Sequence, residues 1–526
     1  MERKSPHFIA AIALSLCAVL GLLTSIEKLD GSFRTLRRLE TKYANEADWE
    51  CIGEISTRTD TGLNNRNACA KFSGGDFYGH FIPESPEEAK DMAVNEDDAV
   101  CITNMRHSYT STCSQPKAQL FDTNKIRHIS YDPNTKRLTV GPGLCLGAVA
   151  RMLYDNKRTL PHGSCPSVGV GGYTLGGGKG IFARRDGLMC DALHSALVQL
   201  PNGKQVNVTA TSNPDLFFIL CGGLAQVPFL VLEFVFDTNP LPYMHSIRIS
   251  RTFPYGDNTT IPQVFNELYD YTHTSLPHFW RVFFWAYNTV EVTMVAFSED
   301  SQDEADEALT ELTKPFLWND AWSETPDSSF TDYWDIVSFL GVQEGTPSEQ
   351  ITNCDLDIPE KWGSMYNEGM TYVSFNLAMG EDQRATVIRS MQDIYDSIAQ
   401  ESTTFIKTYI DCDASGGAVA SVSNSTTAYN WRNDKVICQI YHGDEDIFTS
   451  SIPVTYGALD NLAQIQNQQL IGRYPNYRDH YFESTATLDE MMESYYGDAK
   501  RHVCDIYKEY TGTYKWTVGS NFCQAQ

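Results

Sequence analysis

The sequence predicts an α+β fold in two main parts, and three observations predict it. From Phe77 to Pro240, short β-like runs alternate with helical ones. After Pro242 the chain turns aromatic-rich, and strand-like runs alternate with longer helices, as in an antiparallel sheet backed by helices on one face. Between these regions, residues 161–180 hold eight glycines around a single cysteine, Cys165. With 526 residues, 42% of them apolar and 12% aromatic, there is material for two or three cores.

The chain opens with basic Arg3 and Lys4, an apolar run from Phe8 to Leu23, then Thr24 and Ser25, so residues 1–25 read as a secretory signal peptide. The run of about 16 residues is short for a membrane span, a signal anchor being the other reading. Residues 26–70 read as a linker. It carries the cationic cluster Arg34, Arg37, Arg38 and Lys42, in which Arg34-Thr-Leu-Arg37 resembles the R-x-L-R translocation motif of secreted pathogen effectors. The plain reading of that cluster is a solvated linker or a processing site.

A first domain is assigned to residues 71–240. Ser85-Pro-Glu-Glu-Ala has the capping serine and acidic first turn of a helix start, and Ala99-Val-Cys-Ile-Thr reads as a strand. Leu138-Thr-Val-Gly-Pro-Gly is strand and turn, and Leu146 to Tyr154 has an amphipathic helical period. Ala196 to Leu200, closed by Pro201-Asn-Gly, reads as a hairpin into Gln205 to Ala210. A second domain, 241–470, contains the aromatics Phe279, Trp280, Phe283, Phe284 and Trp285 and the strands Thr371–Leu377 and Val436–Tyr441. Residues 471–526 form a C-terminal segment expected to return to the first domain.

The formal net charge of −27, with no basic stripe, argues against nucleic acid, whose binding rests on Lys and Arg contacts to phosphates. Asn207-Val-Thr, Asn258-Thr-Thr and Asn424-Ser-Thr are glycosylation sequons, in keeping with a secreted chain whose mature form has no membrane span. Of fourteen cysteines, removing Cys17 in the signal leaves thirteen, an odd number in a chain bound for an oxidising compartment. Cys165, inside the glycine segment, is assigned a role other than a disulfide, which leaves twelve for six bridges. The alternative is that Cys165 pairs and another cysteine is left over. No His-Glu-x-x-His, paired Cys-x-x-Cys or Gly-x-Ser-x-Gly is present to suggest metal or serine-hydrolase chemistry.

Glycines without Cβ atoms let main-chain N–H groups crowd against an anionic or planar ligand, so residues 161–180 read as a cofactor cradle. A flexible linker would not interleave Val168, Val170, Tyr173 and Leu175. The segment has neither G-x-G-x-x-G in register nor the G-K-[ST] of a P-loop, so a cradle of another kind is needed.

Cys165-Pro-Ser-Val-Gly-Val-Gly-Gly-Tyr-Thr-Leu-Gly-Gly-Gly-Lys-Gly180 resembles the Cys-Pro-x-Val-Gly-Val-Gly-Gly-His-x-x-Gly-Gly-Gly-Tyr-Gly pattern of the berberine bridge enzyme-like FAD-linked oxidases, within the vanillyl-alcohol oxidase superfamily. Arg185-Asp-Gly-Leu with Asp191, Asn213-Pro-Asp-Leu-Phe-Phe, Thr427-Ala-Tyr-Asn-Trp-Arg, Tyr474-Pro-Asn-Tyr-Arg-Asp and Tyr495-Tyr-Gly follow in the family's order. The resemblance spans about residues 75 to 525. It implies a two-part PCMH-type FAD-binding domain plus a substrate domain, and FAD attached bicovalently through His107 and Cys165. The cradle positions it implies are Ser164, Val168, Gly169, Gly171, Gly172, Tyr173, Gly176, Gly177 and Asn476. An ordinary loop histidine is the other reading of His107.

Several positions depart from the pattern. Met105 and Arg106 replace the two glycines before the family's histidine, Tyr173 replaces a second histidine, and Lys179 replaces a tyrosine. Gly222-Gly-Leu-Ala-Gln-Val-Pro-Phe229 departs from the family's Gly-Gly-Gly…Asn-Phe-Gly. Ser423–Ala428 lacks the carboxylate used by the alkaloid-forming member, which disfavours berberine bridge formation itself. Hydride transfer from an alcohol needs a base for the hydroxyl proton, and the resemblance assigns this to Tyr477, with Gln439 retained on a neighbouring strand. A free tyrosine, with pKa about 10, is a poor base near neutrality. A cation about 4 Å away is worth roughly 4 kcal/mol at an effective dielectric near 20, about three pKa units, and Lys179 is the expected source. A solvent-facing Lys179 is the alternative.

The resulting expectation is a secreted FAD-dependent oxidoreductase acting on a CH–OH group, a saccharide favoured, with molecular oxygen as reoxidant because Val168 matches the valine that admits it. The alternatives are a phenolic-alcohol oxidase or dehydrogenase on the same scaffold, and a catalytically silent secreted partner-binding protein.

Overall fold

The computed structural model describes residues 79–90, 99–105, 107–108, 118–316, 321–342, 346–354, 371–378, 380–401, 408–442, 451–468, 470–514 and 523. The expected signal peptide, the Arg34–Arg37 motif and Arg106 lie outside these residues.

Two sheets make the first part. Strands β1 (Gly79–Phe81), β2 (Ala99–Thr103) and β3 (Ala118–Asp122) form a parallel sheet in the order β1-β3-β2. Ser85 caps the helix Pro86–Ala89 as its sequence signature requires, its side chain accepting from Glu88 N. Strands β4 (Ile129–Asp132), β5 (Arg137–Val140), β7 (Leu193–Gln199), β8 (Gln205–Val208) and β9 (Leu230–Asp237) form an antiparallel sheet ordered β4-β5-β9-β7-β8. The predicted hairpin is β7–β8, with Ala196 opposite Val208, and the predicted helix spans Leu146–Asp155. Two short strands, β6 (Arg158–Thr159) and β10 (Asn239–Pro240), pair to one side. The core between the sheets includes Val140, Leu153, Val198 and Phe234. Val419, Ala428, Tyr429, Tyr474, Tyr495 and Val503 from the distant end of the chain join it.

The second part is a seven-stranded antiparallel sheet. Its strands are β11 (Tyr243–Thr252), β12 (Phe279–Trp285), β13 (Thr289–Ser298), β14 (Ser323–Glu324), β15 (Thr371–Leu377), β16 (Tyr409–Ala414) and β17 (Val436–His442), in the order β14-β11-β13-β12-β16-β17-β15. Strand side chains alternate between faces, and here the alternation separates packing from chemistry. Trp280, Val282 and Phe284 of β12, Ile410, Cys412 and Ala414 of β16, and Val436, Cys438 and Ile440 of β17 lie in one core. Ile261, Leu268, Leu309, Met391, Ile398 and Leu462, from the helices Thr260–Thr272, Gln302–Thr313, Arg384–Glu401 and Ser451–Ile465, complete it. The opposite face carries Arg281, Asp411, Asp413 and Gln439, and Ile437 on that face joins the core of the first part.

Among the described residues four disulfides form: Cys145–Cys354, Cys190–Cys221, Cys412–Cys438 and Cys504–Cys523. Cys165 belongs to none of them. No helix among the described residues is long and apolar enough to cross a membrane.

Candidate active site

The cysteine loop is built by zipping residues 166–171 onto 142–147. Gly147 N donates to Pro166 O (2.9 Å), Leu146 N to Val168 O (2.9 Å), Val170 N to Leu144 O (2.9 Å) and Gly171 N to Pro142 O (3.1 Å). Beyond β2, Asn104 Nδ2 donates to Pro142 O (2.7 Å) and Thr123 Oγ1 (2.9 Å), which docks the next residues on the same segment. His107 thereby reaches Ser167, with Nε2 2.9 Å from the serine Oγ, so the loops of His107 and Cys165 meet around one serine. Burial pushes the His107 imidazole down to about 4, against the opposing bond to Ser167, and the ring is neutral at neutral pH.

The glycines serve chain-on-chain contact more than expected. A Cβ on Gly169 would lie 2.0 Å from Asn104 Oδ1 and 2.7 Å from Met105 Cγ; one on Gly176 would lie 2.0 Å from Asn476 Oδ1; one on Gly180 would lie 1.9 Å from His162 O. Gly177 and Gly178 need φ of 117° and 81°. The amides of Gly171, Gly176 and Gly177 donate to protein carbonyls, so they offer no N–H to a ligand. Gly172 differs: a Cβ there would meet nothing within 4 Å. Met105 packs on Gly169, so a bulky residue before His107 is matched by an absent side chain opposite.

Asn476 joins the C-terminal segment to this cradle, its Nδ2 donating to Tyr173 O (3.0 Å) and Tyr474 Oη (2.9 Å). Tyr474 Oη also accepts from the backbone N–H groups of Gly178 (3.0 Å) and Lys179 (2.8 Å). Burial still pushes its phenol up to about 12. Tyr477 sits beside it, ring centroids 4.8 Å apart at 85°. Tyr173 points back to the protein, its hydroxyl donating to Pro161 O (3.1 Å), and burial holds its phenol protonated.

Facing the cradle is a buried charge cluster. Arg281 grips Asp413 with two bonds, Nε to Oδ1 (2.7 Å) and Nη2 to Oδ2 (3.0 Å), and its Nη1 donates to Ser164 Oγ (3.4 Å), next to Cys165. Lys179 Nζ lies 3.4 Å from Asp413 Oδ2, and Gln439 Nε2 donates to Asp411 Oδ2 (2.9 Å). Register explains the gathering: Arg281 is opposite Asp413, and Asp411 opposite Gln439. Burial raises the Asp413 carboxyl, but Arg281 and Lys179 bring it below the ordinary value; burial pushes Asp411 up to about 6. Burial lowers Lys179, with Asp413 opposing.

Lys179 is therefore buried against a carboxylate, not solvent-facing, and part of its field is spent on Asp413. Arg281, which the sequence reading did not single out, is kept charged against burial chiefly by Asp413 and Asp411, with Tyr477 also within its electrostatic reach. The aromatics of β12 divide between the two faces of the sheet. Trp280 and Phe284 pack under the helices, while Phe283 and Trp285 form a buried ladder with Tyr409 and Tyr441 on the other face.

The sequence profile of the "FAD binding domain" family matches residues 81–209. The xylooligosaccharide oxidase of Thermothelomyces thermophilus is 39% identical over 139 residues, 26% of this chain and 28% of that protein. The chitooligosaccharide oxidase of Gibberella zeae is 44% identical over 104 residues, 20% of this chain and 21% of that one. The chain thus aligns with under a third of either relative's length. Among solved structures, the glucooligosaccharide oxidase of Acremonium strictum superposes with a TM-score of 0.72 at 22% identity, covering 94% of this chain and 98% of the other. The Physcomitrella patens BBE-like 1 protein gives 0.64 at 18%, covering 85% and 92%. The chain carries an FAD binding domain at residues 81–209, set within a fold shared with the glucooligosaccharide oxidase and the BBE-like 1 protein.

Proposed function

We propose that this protein is a secreted FAD-linked oxidase that removes hydride from an alcohol carbon of a saccharide and passes the electrons to dioxygen, giving hydrogen peroxide. The observation that carries the reading is the convergence of the His107–Cys165 loops with the polar face of β12, β16 and β17. Relatives named as oligosaccharide oxidases support the substrate class.

The residues present fit FAD. Burial holds the His107 ring toward its neutral form, the form that a ring bonding through nitrogen must take; Cys165 belongs to none of the four disulfides among the described residues; and Gly172 faces open space where its neighbours face protein. His107 and Cys165 are assigned as attachment points; the glucooligosaccharide oxidase of Acremonium strictum carries a 6-S-cysteinyl, 8α-N1-histidyl FAD. Ser164, Val168, Gly169, Gly171, Gly172, Tyr173, Gly176, Gly177 and Asn476 shape the cradle. Bound there, FAD supplies the two-electron acceptor that the side chains lack.

Tyr477 takes the hydroxyl proton. Arg281 lies within electrostatic reach of Tyr477, its charge and that of Lys179 being opposed by Asp413 and Asp411. Gln439, held by Asp411, orients the reacting hydroxyl. The buried cluster keeps water from competing for that proton.

The test is a visible spectrum of acid-precipitated protein, peptide mass spectrometry, and a saccharide panel with peroxide detection. A yellow pellet with flavin on the His107 and Cys165 peptides, and peroxide released with neutral saccharides, is the expected result. A colourless pellet with no turnover overturns it in favour of a silent partner-binding protein, and turnover of phenolic alcohols alone overturns the substrate class.

A further inference from the structure

The Cys165 loop is fastened in two ways. Residues 166–171 are zipped onto 142–147 by backbone bonds, beginning with Gly147 N to Pro166 O. Residues 162–165 lie before that zipper, and close packing and side-chain bonds hold them instead. From the glycine segment, a Cβ on Gly180 would lie 1.9 Å from His162 O, and the Tyr173 ring would lie 3.1 Å from one on Gly163. From the second part of the chain comes the helix Tyr333–Gly341, which meets the loop at both of its ends.

At the first end, His162 Nδ1 lies 2.9 Å from Gly163 O, a carbonyl that can only accept, so this nitrogen carries the proton. Burial pushes the His162 ring down to about 4, so the ring is neutral and its Nε2 accepts from the Tyr333 hydroxyl. At the other end, a Cβ on Gly341 would lie 2.0 Å from Ser164 O and 3.1 Å from Pro166 Cδ. Gly341 does not have the positive φ that would by itself favour glycine, so the contact alone excludes a side chain there. Arg281 Nη1 adds a bond to Ser164 Oγ (3.4 Å). His107 is held by other means: Asn104 docks its segment on Pro142 and Thr123, and its ring meets Ser167, inside the zipped stretch.

We propose that the helix Tyr333–Gly341 is the positioning element for Cys165, setting where its sulfur stands when it bonds to FAD, while His107 is set independently. The proposal rests on the bicovalent reading above and deepens it. In the attachment step the Cys165 S–H and a ring C–H are exchanged for one C–S bond, and the two protons and two electrons released reduce dioxygen to hydrogen peroxide. Such a bond forms only from near-attack geometry, and a misplacement of about 1 Å can slow a reaction by about 100-fold. An alanine at 341 demands a shift of that size, since Ser164 O must withdraw by about 1 Å to turn the 2.0 Å approach into an ordinary contact.

Wild type, Gly341→Ala and Tyr333→Phe are purified as holoproteins, and the flavin-bearing shares of the Cys165 and His107 peptides are measured by mass spectrometry, with urea unfolding alongside. In Gly341→Ala the Cys165 share is expected to fall at least about fivefold, and the His107 share to change by less than about twofold. Tyr333→Phe keeps the ring but removes the donor to His162, and should lower the Cys165 share by about threefold with the His107 share kept; it carries the test if Gly341→Ala does not fold. Wild-type Cys165 shares in the variants overturn the proposal. So does a parallel loss of both adducts with a lowered urea midpoint, which assigns the helix to the fold at large. A wild type with no flavin on Cys165 removes the bicovalent reading and the proposal with it, a failure visible before any substitution is made.

Discussion

Gly172→Ala and Gly176→Ala lie four residues apart in one glycine run and are expected to fail in opposite ways. Gly172 is inside the helix Val170–Leu175 with nothing within 4 Å of an added Cβ. Alanine there favours the helix by about 1 kcal/mol, so the fold should hold or gain. The methyl would project into the space assigned to the cofactor, and flavin content should fall at least several-fold. At Gly176 the methyl would lie 2.0 Å from Asn476 Oδ1 and drive that side chain away. Its bonds to Tyr173 O and Tyr474 Oη, each worth about 1 kcal/mol net, would be lost. Overpacking adds about 1–3 kcal/mol. The assay is the flavin-to-protein absorbance ratio after gel filtration, with urea unfolding followed by tryptophan fluorescence. Wild-type flavin content in Gly172→Ala would refute the placement of the cofactor over this residue. Undiminished stability in Gly176→Ala would refute the role of Asn476 as the tie between cradle and C-terminal segment.

Arg281→Met should destabilise by about 3–5 kcal/mol in urea unfolding, because it strands the buried Asp413 carboxylate with only Lys179 beside it; a loss under 1 kcal/mol would show that the pair relaxes toward water. Burial pushes Asp434 up to about 7. The folded state therefore binds a proton that the unfolded state, near 3.9, has released, and stability falls as pH rises from about 4 to about 7. Asp434→Asn should flatten that slope, being more stable than wild type at pH 8 and not at pH 4, and an unchanged profile in unfolding titrations would dismiss Asp434 as its source. The Cys145–Cys354 bridge closes 209 residues, worth about 5 kcal/mol by chain entropy. Cys145→Ala with Cys354→Ala should lower the urea midpoint accordingly, and an unmoved midpoint would mean that close packing of Gly147 on Ile351 holds the join without the bridge.

Much of the scaffold was legible because its signals are local. The serine cap at Ser85, the Pro201-Asn-Gly turn and the period of Leu146–Asp155 each depend on neighbours in sequence. Parity said only that one cysteine is left over, the glycine segment pointed to Cys165, and His107 was marked only by motif likeness. Arg281 was missed although it interrupts an otherwise apolar strand, Phe-Trp-Arg-Val-Phe-Phe-Trp, because its meaning depends on pairing β12 with β16. Its partner Asp413 lies 132 residues away. Asp411 and Asp413, two apart on one strand, must share a face, yet nothing local says which. Glycine density reports that something comes close, and only the fold tells that at Gly169 and Gly176 a near neighbour is an asparagine.

The disulfide joining Cys412 to Cys438 bridges residues directly opposite one another on β16 and β17, on the helix-covered side of the sheet. A slip of one residue between these strands would turn one strand's polar set inward and its apolar set toward the cradle. The covalent tie forbids that slip without using any atom on the polar face. The alignment of Asp411 with Gln439 is thus guaranteed from behind, and the residues that meet a ligand are relieved of keeping the strands in step. Side chains on that face can be exchanged, by selection or by design, with the frame that presents them unchanged.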